Sequence, residues 1–182
     1  MNRLFVALTI PEEVIRKIFE LRKSILLPNS KLNWEKPDKI HLTLKFIGDV
    51  SDEMVPMIID KILFLENFGK ISLSLTSFNF FPNGNNPKIL YIGLSVNKII
   101  NRIVFELNEK LFELGINKEQ KNFKSHLTLL RINNPVSDLF INNFRYFHIP
   151  EINFVAQEIS LFKSKLTQVG SRYSKINKYN LR

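Results

Sequence analysis

The sequence predicts an α+β fold with antiparallel or mixed sheets. Three observations predict it. Strand-like runs outnumber helical stripes, several of those runs pair around turn residues as hairpins, and the chain has neither a Gly-rich phosphate loop nor a long array of βαβ units.

Residues 3–10, RLFVALTI, read as a buried strand. Thr9 and Pro11 open a helix whose positive end carries Glu12 and Glu13. Val14, Ile15, Ile18, Leu21 and Ile25 form its apolar stripe, and PNS at 28–30 stops it. Trp34 sits on a short extended piece, Pro37 and Asp38 make a turn, and residues 40–47 form a strand closed by Gly48 and Asp49. A helix from about Ser51 to about Asn67 follows. Residues 70–81 alternate with period two, with Ile71, Leu73 and Leu75 on one face and Ser72, Ser74 and Thr76 on the other. PNGNNP at 82–87 is the strongest loop signal, and residues 88–95 return as a strand. Residues 97–115 are the clearest helix, with Ile99, Ile100, Ile103, Val104, Leu107 and Leu111 on its apolar face and Gly115 at its end. A charged loop leads to a strand near 125–132, a weakly patterned region runs to about residue 150, and two strands close the chain.

At 182 residues the chain can bury a core without a metal or disulfide staple, and it is expected to form one two-lobed domain over residues 1–182. Cys is absent, which removes disulfides, thiolate nucleophiles and Cys-ligated zinc. The formal charge of +9 suits a polyanionic partner, nucleic acid first. The N-terminus lacks the pattern of a signal peptide, and no apolar run is long enough to span a bilayer. A cytoplasmic protein with no membrane partner is expected.

The tetrapeptide HLTL occurs twice, at 41–44 and 126–129, in a chain with only three His. In a strand, residues two apart share a face. His41 and Thr43 therefore project together while Leu42 and Leu44 bury, and His126 and Thr128 do the same over Leu127 and Leu129. One isolated copy would usually be a solvated pair on an amphipathic strand. Two copies facing each other would set two imidazoles and two hydroxyls around one point. Phosphodiester cleavage suits such a pair: one group removes a proton from the nucleophile and another protonates the leaving oxygen. With an ordinary pKa near 6.5, imidazole can serve in both states. The hydroxyls can donate to phosphate oxygens where charge builds. Lys45 shares the parity of His41 and Thr43. Arg131 suits phosphate too, yet strict alternation puts it on the face opposite His126 unless the strand bulges or ends near Leu130. No metal is expected. Paired His would need a third and usually a fourth ligand, there is no Cys, and Asp38 and Asp49 fall in turns. His148, in RYFHIP, has no partner pattern and reads as an ordinary structural or surface residue.

With these flanks the chain resembles the two-histidine phosphoesterases. More closely, it resembles the bacterial and archaeal RNA 2′,3′-cyclic phosphodiesterases, the LigT-like proteins historically called 2′-5′ RNA ligases. The resemblance runs through RLFVALTIPEE, WEKPDKIHLTLKFIGDV, FKSHLTLLR and ISLFKSKLTQVGSRYSKI, and so covers nearly the whole chain. It implies a bilobal fold with two sheets related by a pseudo-two-fold axis, helices outside and a central cleft. It implies hydrolysis of RNA 2′,3′-cyclic phosphate ends to 2′-phosphates without a cofactor, with tRNA processing as the setting. Carried over by position, His41 and His126 are the acid–base pair, and Thr43, Thr128 and Arg131 hold the phosphate. Phe46 and Tyr173 are candidate substrate contacts. His41 as acid and His126 as base is the direction preferred, though nothing in the sequence decides it. A monomer with no obligate protein partner is expected. Reversible 2′-5′ ligation, hydrolysis of a small cyclic nucleotide and a non-catalytic RNA-binding module remain as alternatives. The two intact HLTL motifs argue against the last.

Overall fold

The computed structural model describes residues 1–25, 32–82, 86–168 and 170–182. The helix stop expected at 28–30 and the centre of the loop expected at 82–87 lie outside them. Among the described residues the strands are β1 (Asn2–Thr9), β2 (His41–Val50), β3 (Ile71–Phe81), β4 (Ile89–Leu94), β5 (His126–Arg131), β6 (Asn153–Ala156), β7 (Glu158–Thr167) and β8 (Gly170–Asn180). The α-helices among the described residues are α1 (Glu12–Ile25), α2 (Met54–Lys61), α3 (Lys98–Phe112) and α4 (Asp138–Arg145).

The strands form two sheets, ordered β2-β1-β7-β8 and β5-β4-β3-β6. Pairing between neighbours is antiparallel throughout, so the mixed option falls away. The two sheets share one plan. β1-α1-β2 and β4-α3-β5 are each a strand, a helix and an antiparallel neighbour of the first strand, and each places an HLTL strand at a sheet edge. β2 and β5 then approach each other between the sheets. Helix stripes and strand undersides bury together: Val14 and Ile18 of α1, Ile103 and Leu107 of α3, Leu42 of β2 and Leu127 of β5 all belong to one apolar core.

Local chemistry fixes several boundaries. Asn97 caps α3 by accepting from the backbone N–H groups of Ile99 and Ile100, and Gly115 ends it at a positive φ of 79°. Ile99, expected on the apolar face, is exposed at the first turn. Thr9 ends β1 rather than opening α1, and its hydroxyl donates to Glu158. The helix expected to reach Asn67 stops at Lys61, and a 3₁₀ turn continues over Leu63–Asn67. That tighter winding eclipses residues three apart, which lets Ile62 and Leu65 bury together. The weakly patterned region holds α4, too short for a clear stripe. It is capped by Ser137 and anchored by buried Ile141 and Phe144. The run EINFVAQEISLFKSKL is two strands in different sheets, because the chain crosses over at Gln157.

The decisive irregularity recurs in both edge strands. On β2, Val6 pairs with Lys45 but Ala7 with Thr43, so Leu44 is an extra residue. On β5, Leu90 pairs with Leu130 but Tyr91 with Thr128, so Leu129 is extra. Each bulge reverses the alternation. Leu44 and Lys45 both turn inward, as do Leu129 and Leu130, while Phe46 and Arg131 rejoin the histidine face. Lys45 is thus not beside His41, as strict parity would have it. It is 2% exposed, and its ammonium donates to the Asn117 carbonyl at 2.6 Å in the loop after α3. Burial holds that ammonium below the ordinary lysine range, against the pull of Glu119.

Removing this side chain leaves a cavity and an unpaired carbonyl. Lys45→Ala is expected to cost about 2–4 kcal/mol in denaturant unfolding. Lys45→Met, which keeps the volume, is expected to cost clearly less. Equal losses for the two would refute the packing account.

Candidate functional site

The bulges gather the predicted residues on one face of each edge strand. His41, Thr43 and Phe46 line β2, and His126, Thr128 and Arg131 line β5. The expectation that Arg131 needs a bulge near Leu130 is met by the irregularity at Leu129–Leu130. Phe46 and Arg131 occupy equivalent positions in the two halves, one aromatic and one cationic. Tyr173 of β8 joins them, edge-on to His41 with ring centroids 5.5 Å apart. His148 is exposed, in keeping with its reading as a surface residue.

Each imidazole is oriented by its own chain. Nδ1 of His126 lies 2.7 Å from the carbonyl of Lys124, two residues back. A carbonyl only accepts, so Nδ1 carries the proton and Nε2 the lone pair. His41 likewise bonds to the carbonyl of Lys39, again two residues back. The repeated tetrapeptide thus comes with a repeated means of fixing the tautomer.

Aromatic rings surround both. His41 stacks on Phe5 at 5.0 Å and on Phe162 at 6.0 Å. His126 meets Phe81 and Tyr91 edge-on, each at 5.2 Å, and those two rings stack on each other at 4.2 Å. Lys124 lays its ammonium over that stack, 4.7 Å from Phe81 and 5.1 Å from Tyr91. Burial in this setting pushes His41 down to about 4. The Lys39 carbonyl opposes the shift, and the charges of Arg131 and His126 add to it. His126 is lowered too, first by burial and then by Lys124 and Arg131, against its bond to the Lys124 carbonyl. Both shifts favour the neutral ring in the free protein.

The segment before β2 straps the second motif. Trp34 forms an isolated β-bridge with Leu130, and the Glu35 N–H donates to the Leu129 carbonyl at 2.9 Å. The Glu35 carboxylate accepts from Arg131 Nε at 3.1 Å and lies 3.8 Å from Lys39 Nζ. A groove of about 600 Å³ continues from Phe46 past Gly48 and Met54 to Ile116, Asn117 and Lys118. Sequence reasoning missed Phe5, Phe81, Tyr91 and Phe162, which lie on neighbouring strands and carry no motif, and Lys124, in the loop just before β5. It also missed Glu35, whose partner is 96 residues away.

Comparison with known proteins gives the family and the fold. Residues 8–91 match the family model described as LigT like Phosphoesterase. A relative from Methanocaldococcus jannaschii, an RNA 2′,3′-cyclic phosphodiesterase, is 30% identical over 97% of this chain and 99% of its own. The chain belongs to the LigT-like phosphoesterases. Among solved structures, TT0787 of Thermus thermophilus superposes with a TM-score of 0.82 at 25% identity, covering 99% of this chain and 98% of that one. LigT of E. coli, crystallised with 3′-AMP, does so at 0.77 with 20% identity and the same coverage. The expected α+β architecture of two antiparallel sheets is thus the family's own. Among the described residues no helix is long and apolar enough to cross a membrane.

The depressed His41 has a consequence for stability. The unfolded chain takes up the proton near the ordinary 6.5, the folded chain only near 4. Stability is therefore full above the unfolded value and declines as pH falls toward the folded one, by about 1–2 kcal/mol at pH 5. Thermal unfolding between pH 7.5 and 5 is expected to show a steeper decline for the wild type than for His41→Phe, which keeps a ring in the aromatic box. Parallel curves would rule out His41 as the source.

Proposed function

We propose that this protein hydrolyses RNA ending in a 2′,3′-cyclic phosphate to a 2′-phosphomonoester, with His41 and His126 as the acid–base pair. The observation that carries this reading is the paired geometry. Two imidazoles with chain-fixed orientations stand on two edge strands bulged in the same way, with Arg131 brought onto their face. The name borne by the Methanocaldococcus relative points to the same substrate.

In the proposed step, Nε2 of His126 takes a proton from water, whose oxygen bonds to phosphorus. The P–O3′ bond breaks, and His41 gives its proton to the departing O3′. Charge building on the non-bridging oxygens meets the hydroxyls of Thr43 and Thr128 and the guanidinium of Arg131. The environments favour this direction. Nε2 of His126 carries the lone pair, since Nδ1 is bonded to the Lys124 carbonyl. An imidazolium at His41, formed as the anionic substrate draws in a proton, is a strong acid in its aromatic surroundings. Phe46 and Tyr173 present ring faces and edges to the nucleoside. Phe46 is 62% exposed, which is far from a core role. The net charge of +9 favours an RNA substrate. Nothing in the step requires a metal, and the chain is taken to act as a monomer.

Turnover of an RNA oligomer with a 2′,3′-cyclic end is expected to be unaffected by EDTA, and His41→Ala and His126→Ala are each expected to lower kcat by about 10²–10⁴-fold. Loss of activity in EDTA with rescue by zinc would sink the metal-free step, and near wild-type rates in either variant would sink the pair. Running a cyclic mononucleotide alongside the oligomer separates an RNA enzyme from one acting on small nucleotides. A substrate with a nitrophenolate leaving group, which needs no proton, is expected to recover His41→Ala but not His126→Ala. The reverse pattern would exchange the two roles.

A further inference from the structure

Resting on that reading, we infer that Glu35 sets the charge preference of the phosphate site, favouring the singly charged cyclic diester over the doubly charged product. Arg131 is the cation that the bulge delivers to the histidine face, and its side chain is 58% exposed. Glu35 lies against it, only 14% exposed, and engages Nε at 3.1 Å. A carboxylate at Nε leaves the two terminal nitrogens of the guanidinium to an anion. The same carboxylate cancels part of the arginine's charge. Its other oxygen faces Lys39 at 3.8 Å, so one acid is shared by two cations. His41, His126 and Tyr173 also lie within electrostatic reach of Arg131, and Tyr173 within reach of Glu35.

Ring opening changes what such a site must hold. The cyclic diester carries one negative charge. The monoester product gains a second ionisable oxygen with pKa near 6, so it is largely dianionic at neutral pH. A site built from Arg131 and the nearby lysines alone would hold the product more tightly than the substrate. A fixed carboxylate beside the arginine repels the added charge and speeds release. Glu35 is held for this role by its main chain, whose N–H donates to the Leu129 carbonyl whatever the side chain.

The test compares two ligands that differ by one charge and one methyl group: adenosine 2′-monophosphate, and the same compound as its methyl phosphate ester. Binding of each is measured by calorimetry at pH 8. Glu35→Gln keeps an acceptor for Arg131 Nε and removes the charge. It is expected to raise the affinity ratio of monophosphate to methyl ester by about fivefold. Lys39→Met, which frees more of the carboxylate's charge, is expected to lower that ratio. An unchanged ratio in both variants, or equal weakening of both ligands in Glu35→Gln, would reduce Glu35 to a prop for Arg131 and overturn the inference, with the phosphodiesterase reading intact. Failure of the wild type to bind either ligand would overturn both.

Discussion

One extra residue just after the His-Leu-Thr of each edge strand decides what this molecule presents to its cleft. In β2 and β5 the residues after His-Leu-Thr bury two in a row, Leu44 with Lys45 and Leu129 with Leu130. Regular pleating would send Arg131 and Phe46 into the apolar interior, where an unpaired guanidinium is costly. The bulge instead lets three side chains per strand share a face. On β5 it is held from both sides, by β4 along the ladder and by the Glu35 N–H on the Leu129 carbonyl.

Burial then acts twice on the same groups. The aromatic rings that seat the imidazoles also exclude water from them and so depress their basicity, while the backbone carbonyls that orient them pull the other way. Polar side-chain links cross between the halves beside both motif strands. Lys45 ties β2 to the loop after α3, and Glu35 ties the segment before β2 to β5. The Lys45 link is buried, whereas the Glu35–Arg131 pair opens to solvent through the arginine and is backed by the Glu35 N–H bond to the Leu129 carbonyl. Both therefore help to fix the relative placement of the two motifs.

The fold class was legible because periodicity carries it. The β3 alternation of Ile71, Leu73 and Leu75, the α3 stripe and the Gly115 stop all reflect local rules. The two HLTL segments stood out because His is rare in this chain, and strand parity then placed His and Thr together. Parity failed at Lys45, because a bulge is a tertiary choice: a position flanked by Leu44 reads the same in a regular or an irregular ladder. α4 was missed for a related reason. Eight residues with two buried positions make too short a stripe to register. The aromatic box and Glu35 were invisible because their relation to the histidines exists only after strands distant in sequence pair. β7, for example, brings Phe162 opposite Phe5.

The likeness of the two halves ends at one pair of positions. Where β5 ends its motif face in Arg131, β2 carries Phe46. A two-fold symmetric cleft would accept a ligand equally well turned end for end. Here one end offers a cation and the other a bare ring, so the cleft has a head and a tail. A nucleotide, with its anionic and aromatic poles, can match that polarity in only one sense. Under the proposed acid–base roles, the two histidines, alike in sequence, then stand on opposite sides of the phosphorus with separate duties.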